Sequence, residues 1–139
     1  MSGDVTTNDG VEAIATKALA ALGGLDILVN NAGGRSAFLE GSWTISDKAW
    51  HDNLELNLFA AIRLTNAVLP ELRASKDAAV VNISSTAATM PFGAFAHYGA
   101  AKGGAQRLLA HACSGTRAER HPRERRVARR HLDVGFRGV

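Results

Sequence analysis

The residues best suited by type and spacing to take part in a reaction are a tyrosine and a lysine four positions apart. Tyr98 and Lys102 occupy positions i and i+4 of a predicted helix, which places a phenol and an ammonium group on one helix face. A nearby cation favours the ionised form of a phenol, so this pair could donate and accept a proton. Taken alone, the spacing is weak evidence and is more typical of an exposed helical pair without chemistry.

A serine and an asparagine upstream add to this pair. Ser85 lies thirteen positions before Tyr98 and ends the apolar run 78–85, which predicts a buried strand with a hydroxyl at its carboxyl end. Asn57 lies in the middle of a long amphipathic segment, where its amide competes with the hydrogen bonds of the helix backbone. Without further context, Asn57 is interpreted as a structural hydrogen-bonding residue.

The elements that must position these residues alternate along the chain. Apolar periodicity predicts helices at 11–22, 47–72 and 95–111, and short apolar runs predict strands at 25–30 and 79–84. We expect Asn8 or Asp9 to cap the first helix, Ser46 to cap the second, and Pro70 to bend the end of the second. Such alternation favours a three-layer α/β fold with a parallel sheet buried on both faces.

The order and spacing of these residues resemble a known enzyme family. Asn57, Ser85, Tyr98 and Lys102 are similar to the catalytic tetrad of the short-chain dehydrogenases/reductases, and residues 30–33, Asn-Asn-Ala-Gly, resemble a motif of that family. The resemblance covers residues 3–111. It implies part of a Rossmann-like, doubly wound parallel sheet in three α/β/α layers. It also implies an NAD(P)-dependent oxidoreductase that transfers a hydride between nicotinamide and an alcohol or carbonyl compound.

The resemblance implies a role for each tetrad residue. Tyr98 would be the general acid in carbonyl reduction and the general base in alcohol oxidation, and Ser85 would donate a hydrogen bond to the substrate oxygen. Lys102 would favour the phenolate of Tyr98 and bind the ribose hydroxyls of the nicotinamide. Asn57 would lie at a helix distortion that holds a water molecule in a proton relay toward Lys102.

Two further segments are expected to contact the cofactor. By resemblance, Asn31, Ala32 and Gly33 border it beside Tyr98 and Lys102, although glycines after a strand are also typical of a tight turn. Asp4 and Val5 resemble the family's Asp-Val pair that meets the adenine ring, whereas alone Asp4 would be an ordinary turn residue. The sequence leaves the choice between NAD and NADP open.

The segment between the second strand and the last helix leaves alternatives open. Ser84 is the nearest alternative to Ser85, but its spacing to Tyr98 is one residue too long. Met90, Phe92 and Phe95 could line a substrate pocket or simply pack the loop. The substrate is therefore not predicted beyond an alcohol or a carbonyl compound.

The family's glycine-rich Thr-Gly-x-x-x-Gly-x-Gly turn does not occur in this sequence. That turn and the helix after it bind the cofactor pyrophosphate, so we expect a fragment truncated at its amino end that binds cofactor weakly and has little or no activity. The alternative is a catalytically silent oligomerisation module that uses the helices at 46–72 and 95–111.

The chain divides into a body, residues 1–113, predicted to form the partial domain, and a basic tail. Residues 114–139 contain eight arginines and three acidic residues. If the codons for the arginine-rich residues 120–130 are read in the frame that begins one base later, they could encode a strand and a Pro-Gly loop. The family has these two elements after the helix that contains the catalytic lysine. We therefore predict a frameshift after about Ala110 and an irregular tail. The alternative is a tail that binds nucleic acid or another polyanion, but it has few aromatic residues and no recognised docking motif.

Composition limits the class of protein to which this chain can belong. The 139 residues are 46% apolar with fourteen glycines and three prolines, which is typical of a globular domain. No apolar run reaches membrane-spanning length, no secretory signal is recognised, and the single Cys113 excludes an intramolecular disulfide. We expect a cytoplasmic homo-oligomer that acts on a small molecule and contacts neither membrane nor nucleic acid. His97, His111, His121 and Cys113 lack the paired spacing of a zinc site.

Overall fold

A computed structural model describes residues 2–115, with side chains as far as Leu108. Five α-helices alternate with two strands, which confirms the predicted α/β alternation. In chain order they are α1 (Asn8–Leu22), β1 (Ile27–Asn30), α2 (Asp47–Leu54), α3 (Ala60–Ala67), α4 (Leu69–Ala74), β2 (Ala79–Asn82) and α5 (Ala96–Gly115). Shorter helical turns cover Ser42–Thr44, Thr86–Ala88 and Gly93–Phe95, and the π-helical segment Glu55–Phe59 joins α2 to α3.

The two strands form a parallel pair. Ile27 pairs with Ala79 at one end of the ladder and Asn30 with Asn82 at the other. Parallel strands need a crossover connection, which α2, α3 and α4 provide here. The helices form one layer, since α1 contacts α3, α5 contacts α2 and the π-helical segment, and α3 contacts β1.

This helical layer buries one face of β1, whereas the residues of β2 are exposed or half-buried. Neighbouring strand residues point to opposite faces, and Leu28 and Asn30 on the covered face are 8% and 9% exposed. Ile27 and Val29 on the opposite face are 58% and 53% exposed. The prediction of strands buried on both faces is therefore wrong for the described residues, because their helices pack on one side. These residues make up two of the three expected layers.

A small apolar core joins the helices to this face. Val68 and Leu72, from the end of the helical crossover, pack against Leu28 of β1 and Ala15 of α1, and all four are buried. Apolar surface removed from water is worth about 25 cal/mol per Å², so this cluster fixes α1 and the crossover on the sheet.

The helix termini correct one prediction and confirm two others. Helix α1 is capped by Thr7, whose Oγ1 accepts a hydrogen bond of 3.1 Å from the backbone N–H of Gly10, and not by Asn8 or Asp9. The helix ends at Gly23, whose positive φ of 71° lets its N–H bond to the Leu19 carbonyl. Ser46 caps α2 as predicted and accepts from the N–H of Ala49.

The long predicted helix at 47–72 is divided in the structure. A π-helical turn interrupts it at Glu55–Phe59, and Val68 separates α3 from α4. Pro70 lies in the first turn of α4, where its missing N–H costs no helical hydrogen bond. Pro70 therefore marks a new helix start, consistent with the predicted bend.

Parts of the predicted tail lie outside the described residues. The boundary at 113–114 falls within α5, and nothing described bears on residues 116–139, on His121 or on the frameshift hypothesis. In the region from 2 to 115, no helix combines the length and apolarity that crossing a membrane requires. Among the side chains described, which end at Leu108, no group of three potential metal ligands comes together.

Candidate active site

Tyr98 and Lys102 lie in the first two turns of α5, on one face as predicted. Lys102 is 6% exposed, and its Nζ lies 5.8 Å from the centroid of the Tyr98 ring. The ammonium donates a hydrogen bond of 2.9 Å to the backbone carbonyl of Ile83, the residue after β2. This bond places the buried charge at the carboxyl end of the strand, where open α/β sheets bind ligands.

Asn57 is held in the π-helical segment by three hydrogen bonds. Its Nδ2 donates to the carbonyls of Gly34 (2.8 Å) and Asn53 (3.0 Å), and its Oδ1 accepts from the Gly34 N–H at 3.1 Å. The Asn53 carbonyl is the one that the backbone N–H of residue 57 would bind in a regular α-helix, so the side chain competes with the helix ladder. The helix distortion implied at Asn57 is present.

Gly33 lies where Asn57 and Lys102 approach each other. A Cβ atom at position 33 would be 2.8 Å from Asn57 Oδ1 and 3.3 Å from Lys102 Nζ. Glycine is therefore required by close packing here, beyond the turn that it was expected to form. Asn31 and Ala32 precede it in the same connection after β1, and both are exposed.

Ser85 follows β2 and starts the helical turn Thr86–Ala88. Its Oγ accepts a hydrogen bond of 3.2 Å from the Ala87 N–H, which leaves the hydroxyl proton available to another acceptor. The turn approaches α5 closely, since a Cβ at Gly99 would lie 2.6 Å from the Ala87 carbonyl. Gly99 thus lets the turn carrying Ser85 pack beside Tyr98, a role that the residue spacing does not indicate.

Asp4 and Val5 lie apart from this group, in the turn before α1. Asp4 Oδ1 accepts hydrogen bonds from the Thr6 hydroxyl (2.7 Å) and the Thr6 N–H (2.9 Å), which lower the pKa of this exposed carboxyl. The turn contacts α3 through Arg63, whose Nη1 donates to the Thr6 carbonyl at 3.2 Å.

Two cavities flank the start of α5. One of about 230 Å³ is lined by Lys102, Asn57, Ser84 and further polar residues of the covered sheet face. The other, of about 450 Å³, includes Phe92 among its lining residues and reaches Gly99. Met90 and Phe95 also line this second cavity, so it contains all three apolar residues for which pocket lining and loop packing were both left open.

Two further buried polar residues, Asn30 and Asn53, connect the elements around the site, and Asn30 also lines the cavity beside Lys102. Asn30 Nδ2 donates to Asn82 Oδ1 (2.8 Å) and Thr65 Oγ1 (3.1 Å), which links both strands to α3. Asn53 is buried as well, and its Nδ2 donates to the Gly34 carbonyl at 3.4 Å. An amide side chain within an apolar sequence segment indicates a buried, hydrogen-bonded residue, since buried amides need partners.

His97 is a third residue whose placement the sequence did not indicate. It is 1% exposed, and its ring packs edge-on against Phe38 and Trp50 at centroid distances of 5.2 and 6.0 Å. Its Nδ1 has no hydrogen-bond partner, and burial lowers the pKa of the imidazole. His97, the residue before Tyr98, thus packs α5 against Phe38 in the connection after β1 and against Trp50 of α2.

The chain is similar to proteins of one family. A family model described as short chain dehydrogenase matches residues 1–120. The chain is 36% identical over 102 residues to the 3-oxoacyl-[acyl-carrier-protein] reductase FabG of Escherichia coli K12, covering 73% of this chain and 41% of that protein. It is 34% identical over 103 residues to the short-chain dehydrogenase/reductase cdmF of Talaromyces verruculosus, covering 73% and 40%. The chain thus spans less than half the length of these curated relatives.

Solved structures agree with the sequence relatives. A short-chain dehydrogenase from Streptomyces avermitilis superposes with a TM-score of 0.77 at 32% identity, covering 85% of this chain and 43% of that one. A metagenomic short-chain oxidoreductase in complex with NADP superposes with a TM-score of 0.75 at 34% identity, covering 85% and 53%. The partial Rossmann-like fold is therefore confirmed, and the chain belongs to the short-chain dehydrogenase family.

Proposed function

We propose that this chain carries the acid-base site of an oxidoreductase that moves a hydride between NAD(H) or NADP(H) and an alcohol or carbonyl substrate. The observation that carries the proposal is the position of Lys102, buried beside Tyr98, bonded to Ile83 and adjacent to Gly33 and Asn57. A buried ammonium is costly unless it is hydrogen-bonded, and its nearness to a tyrosine is typical of proton-transfer chemistry.

The donor groups around Lys102 suit a nicotinamide ribose. An ammonium has three N–H donors, and the bond to Ile83 uses one of them, which leaves donors for two ribose hydroxyls. Gly33, Ala32 and Asn31 would border the cofactor at the end of β1, and Asp4 with Val5 would meet its adenine. When bound, reduced nicotinamide supplies the hydride that the carbonyl carbon receives.

In carbonyl reduction, the chain's own residues manage the substrate oxygen and its proton. Ser85 Oγ keeps its hydroxyl hydrogen for the substrate oxygen, because its hydrogen bond with Ala87 uses it as an acceptor. Tyr98 gives its phenolic proton to the oxygen as negative charge develops there, and it takes that proton back in alcohol oxidation. Lys102 stabilises the resulting phenolate, and Asn57 orients the proton relay behind Lys102.

The full chain tests this proposal with NADPH or NADH and a 3-oxoacyl thioester, a substrate class taken from the names of the relatives. We expect slow loss of reduced nicotinamide, and Tyr98→Phe should lower the rate by about 10²-fold or more because the acid is removed. Lys102→Met should weaken cofactor binding, whereas Lys48→Met, on an exposed lysine, should not. Absence of both binding and turnover in the wild type, or full activity in Tyr98→Phe, contradicts the proposal.

Two further predictions about the protein stay proposals. The helices of the crossover and α5 would form the contacts between copies in a homo-oligomer. The protein would be located in the cytoplasm, where NAD(P) is available. Sedimentation of the purified chain and localisation of a tagged copy test these proposals separately.

A further inference from the structure

Arg63 connects its own helix, α3, to the turn before α1 and to the π-helical segment. Its Nη1 donates a hydrogen bond of 3.2 Å to the backbone carbonyl of Thr6. The same nitrogen lies 2.6 Å from Glu55 Oε2 in an ion pair without hydrogen-bond geometry, and the guanidinium lies 5.7 Å from the centroid of the Phe59 ring. The side chain is 28% exposed, so its contacts are partly shielded from water.

The carbonyl that Arg63 holds belongs to the turn containing Asp4. In that turn the Thr6 N–H and hydroxyl both donate to the Asp4 carboxylate, while the Thr6 carbonyl points to Arg63. Thr7 then caps α1. The direction of the Asp4 side chain therefore depends on the peptide units of Thr6, and Arg63 connects one of them to α3.

We infer that Arg63 is a positioning residue that fixes the Asp4–Thr7 turn on α3 in the orientation that receives the adenine end of the cofactor. This inference rests on the proposed function, which places adenine at Asp4 and Val5. Asp4 is exposed and Val5 is half-buried, both precede the first helix, and the Arg63 hydrogen bond ties their turn to α3. The π-helical segment contributes to the same anchor, because it contains both Glu55 and Phe59.

An arginine suits this position better than a lysine. Its planar guanidinium can donate to a carbonyl, pair with a carboxylate and stack near an aromatic ring at the same time. A lysine would keep the charge near Glu55 but would not reproduce all three contacts. We therefore expect Arg63→Lys to retain part of the function and Arg63→Gln to lose it.

The test measures binding of three probes to the full chain by titration calorimetry: NADPH, adenosine 5′-monophosphate and nicotinamide mononucleotide. Arg63→Gln should weaken NADPH and adenosine monophosphate binding by about tenfold, the effect of losing one charged hydrogen bond, and leave nicotinamide mononucleotide unchanged. Arg73→Gln, which removes an exposed arginine of α4, is the matched control and should bind like the wild type. Hydrogen exchange at the Thr6 and Thr7 amides should become faster only in the Arg63 variants.

The outcomes separate this inference from the proposed function. A wild type that binds none of the three probes overturns the proposed function and, with it, the adenine role of Arg63. Unchanged adenosine monophosphate affinity in Arg63→Gln, with a wild type that binds, overturns the inference alone. An equal loss for both mononucleotides also overturns it, since that pattern indicates general destabilisation.

Discussion

Lys102 of α5 donates a hydrogen bond of 2.9 Å to the carbonyl of Ile83, at the carboxyl end of β2. The two residues are nineteen positions apart, and the bond fixes the helix that carries Tyr98 against the end of the sheet. An ammonium so placed is buried yet hydrogen-bonded, and it keeps donors for a ligand.

Gly33→Ala should destabilise the chain by about 1–3 kcal/mol, because the new methyl group would overlap Asn57 Oδ1. Lys102 could move aside, but Asn57 is held by three hydrogen bonds and could not. Urea denaturation measures the loss. Gly24→Ala is the control, since a Cβ there would meet nothing within 4 Å. Equal stability of the two variants would show that position 33 has room for a side chain.

Asn57→Ala should lower the free energy of unfolding by about 1–3 kcal/mol, because it leaves the partly buried N–H of Gly34 without an acceptor and the Gly34 carbonyl with only the longer bond from Asn53. Asn66→Ala on the exposed side of α3 should stay within about 0.5 kcal/mol of the wild type. Chemical denaturation of both variants gives the comparison. An equal loss in Asn66→Ala would contradict the prediction, because Asn66 lacks these contacts and alanine is the better helix former.

Ser85→Ala should reduce turnover by about 10²-fold, because the donor to the substrate oxygen is lost. Ser84→Ala is the matched control, since Ser84 lines the cavity beside Lys102 but lies one residue away from the helical turn. Its turnover should stay close to that of the wild type. Steady-state rates with saturating cofactor measure both variants, and the reverse ranking would assign the role to Ser84.

His97 should make stability depend on pH. Burial lowers the pKa of His97 below its ordinary value of about 6.5, so the unfolded chain takes up a proton before the folded one. The free energy of unfolding should therefore be constant above about pH 6.5 and fall as pH drops toward the lowered folded pKa. His97→Phe should reduce that slope, whereas His51→Gln, at an exposed position, should retain it. Denaturation at a series of pH values decides, and an unchanged slope in His97→Phe would contradict the prediction.

Thr7→Ala should cost about 1 kcal/mol, because the N-cap hydrogen bond to the Gly10 N–H disappears. Asn8→Ala should cost less, since Asn8 is already the first residue of α1. Thermal unfolding ranks these variants. A larger loss in Asn8→Ala would restore the original cap assignment.

The predicted cap of α1 and the single predicted helix at 47–72 are wrong for the same reason: contacts between residues far apart in the chain decide both. Four polar residues, 6–9, precede the first apolar position of α1, and each could cap a helix. The turn that Asp4 and Thr6 form decides among them, and its anchor is Arg63, fifty-seven residues after Thr6. Likewise, the run 47–72 shows continuous apolar periodicity, while the π-helical turn at Glu55–Phe59 accompanies the contact of Asn57 with Gly34.

The order of residue types was enough to predict the family, the alternation of helices and strands, and the shared face of Tyr98 and Lys102. These properties follow from local periodicity and from spacing along the chain, which a sequence displays directly. The close approach of Gly33 to Asn57, the burial of His97 and the one-sided cover of the sheet were decided by the tertiary structure. Each depends on how separate elements pack, because their hydrogen bonds and apolar contacts join residues far apart in the chain.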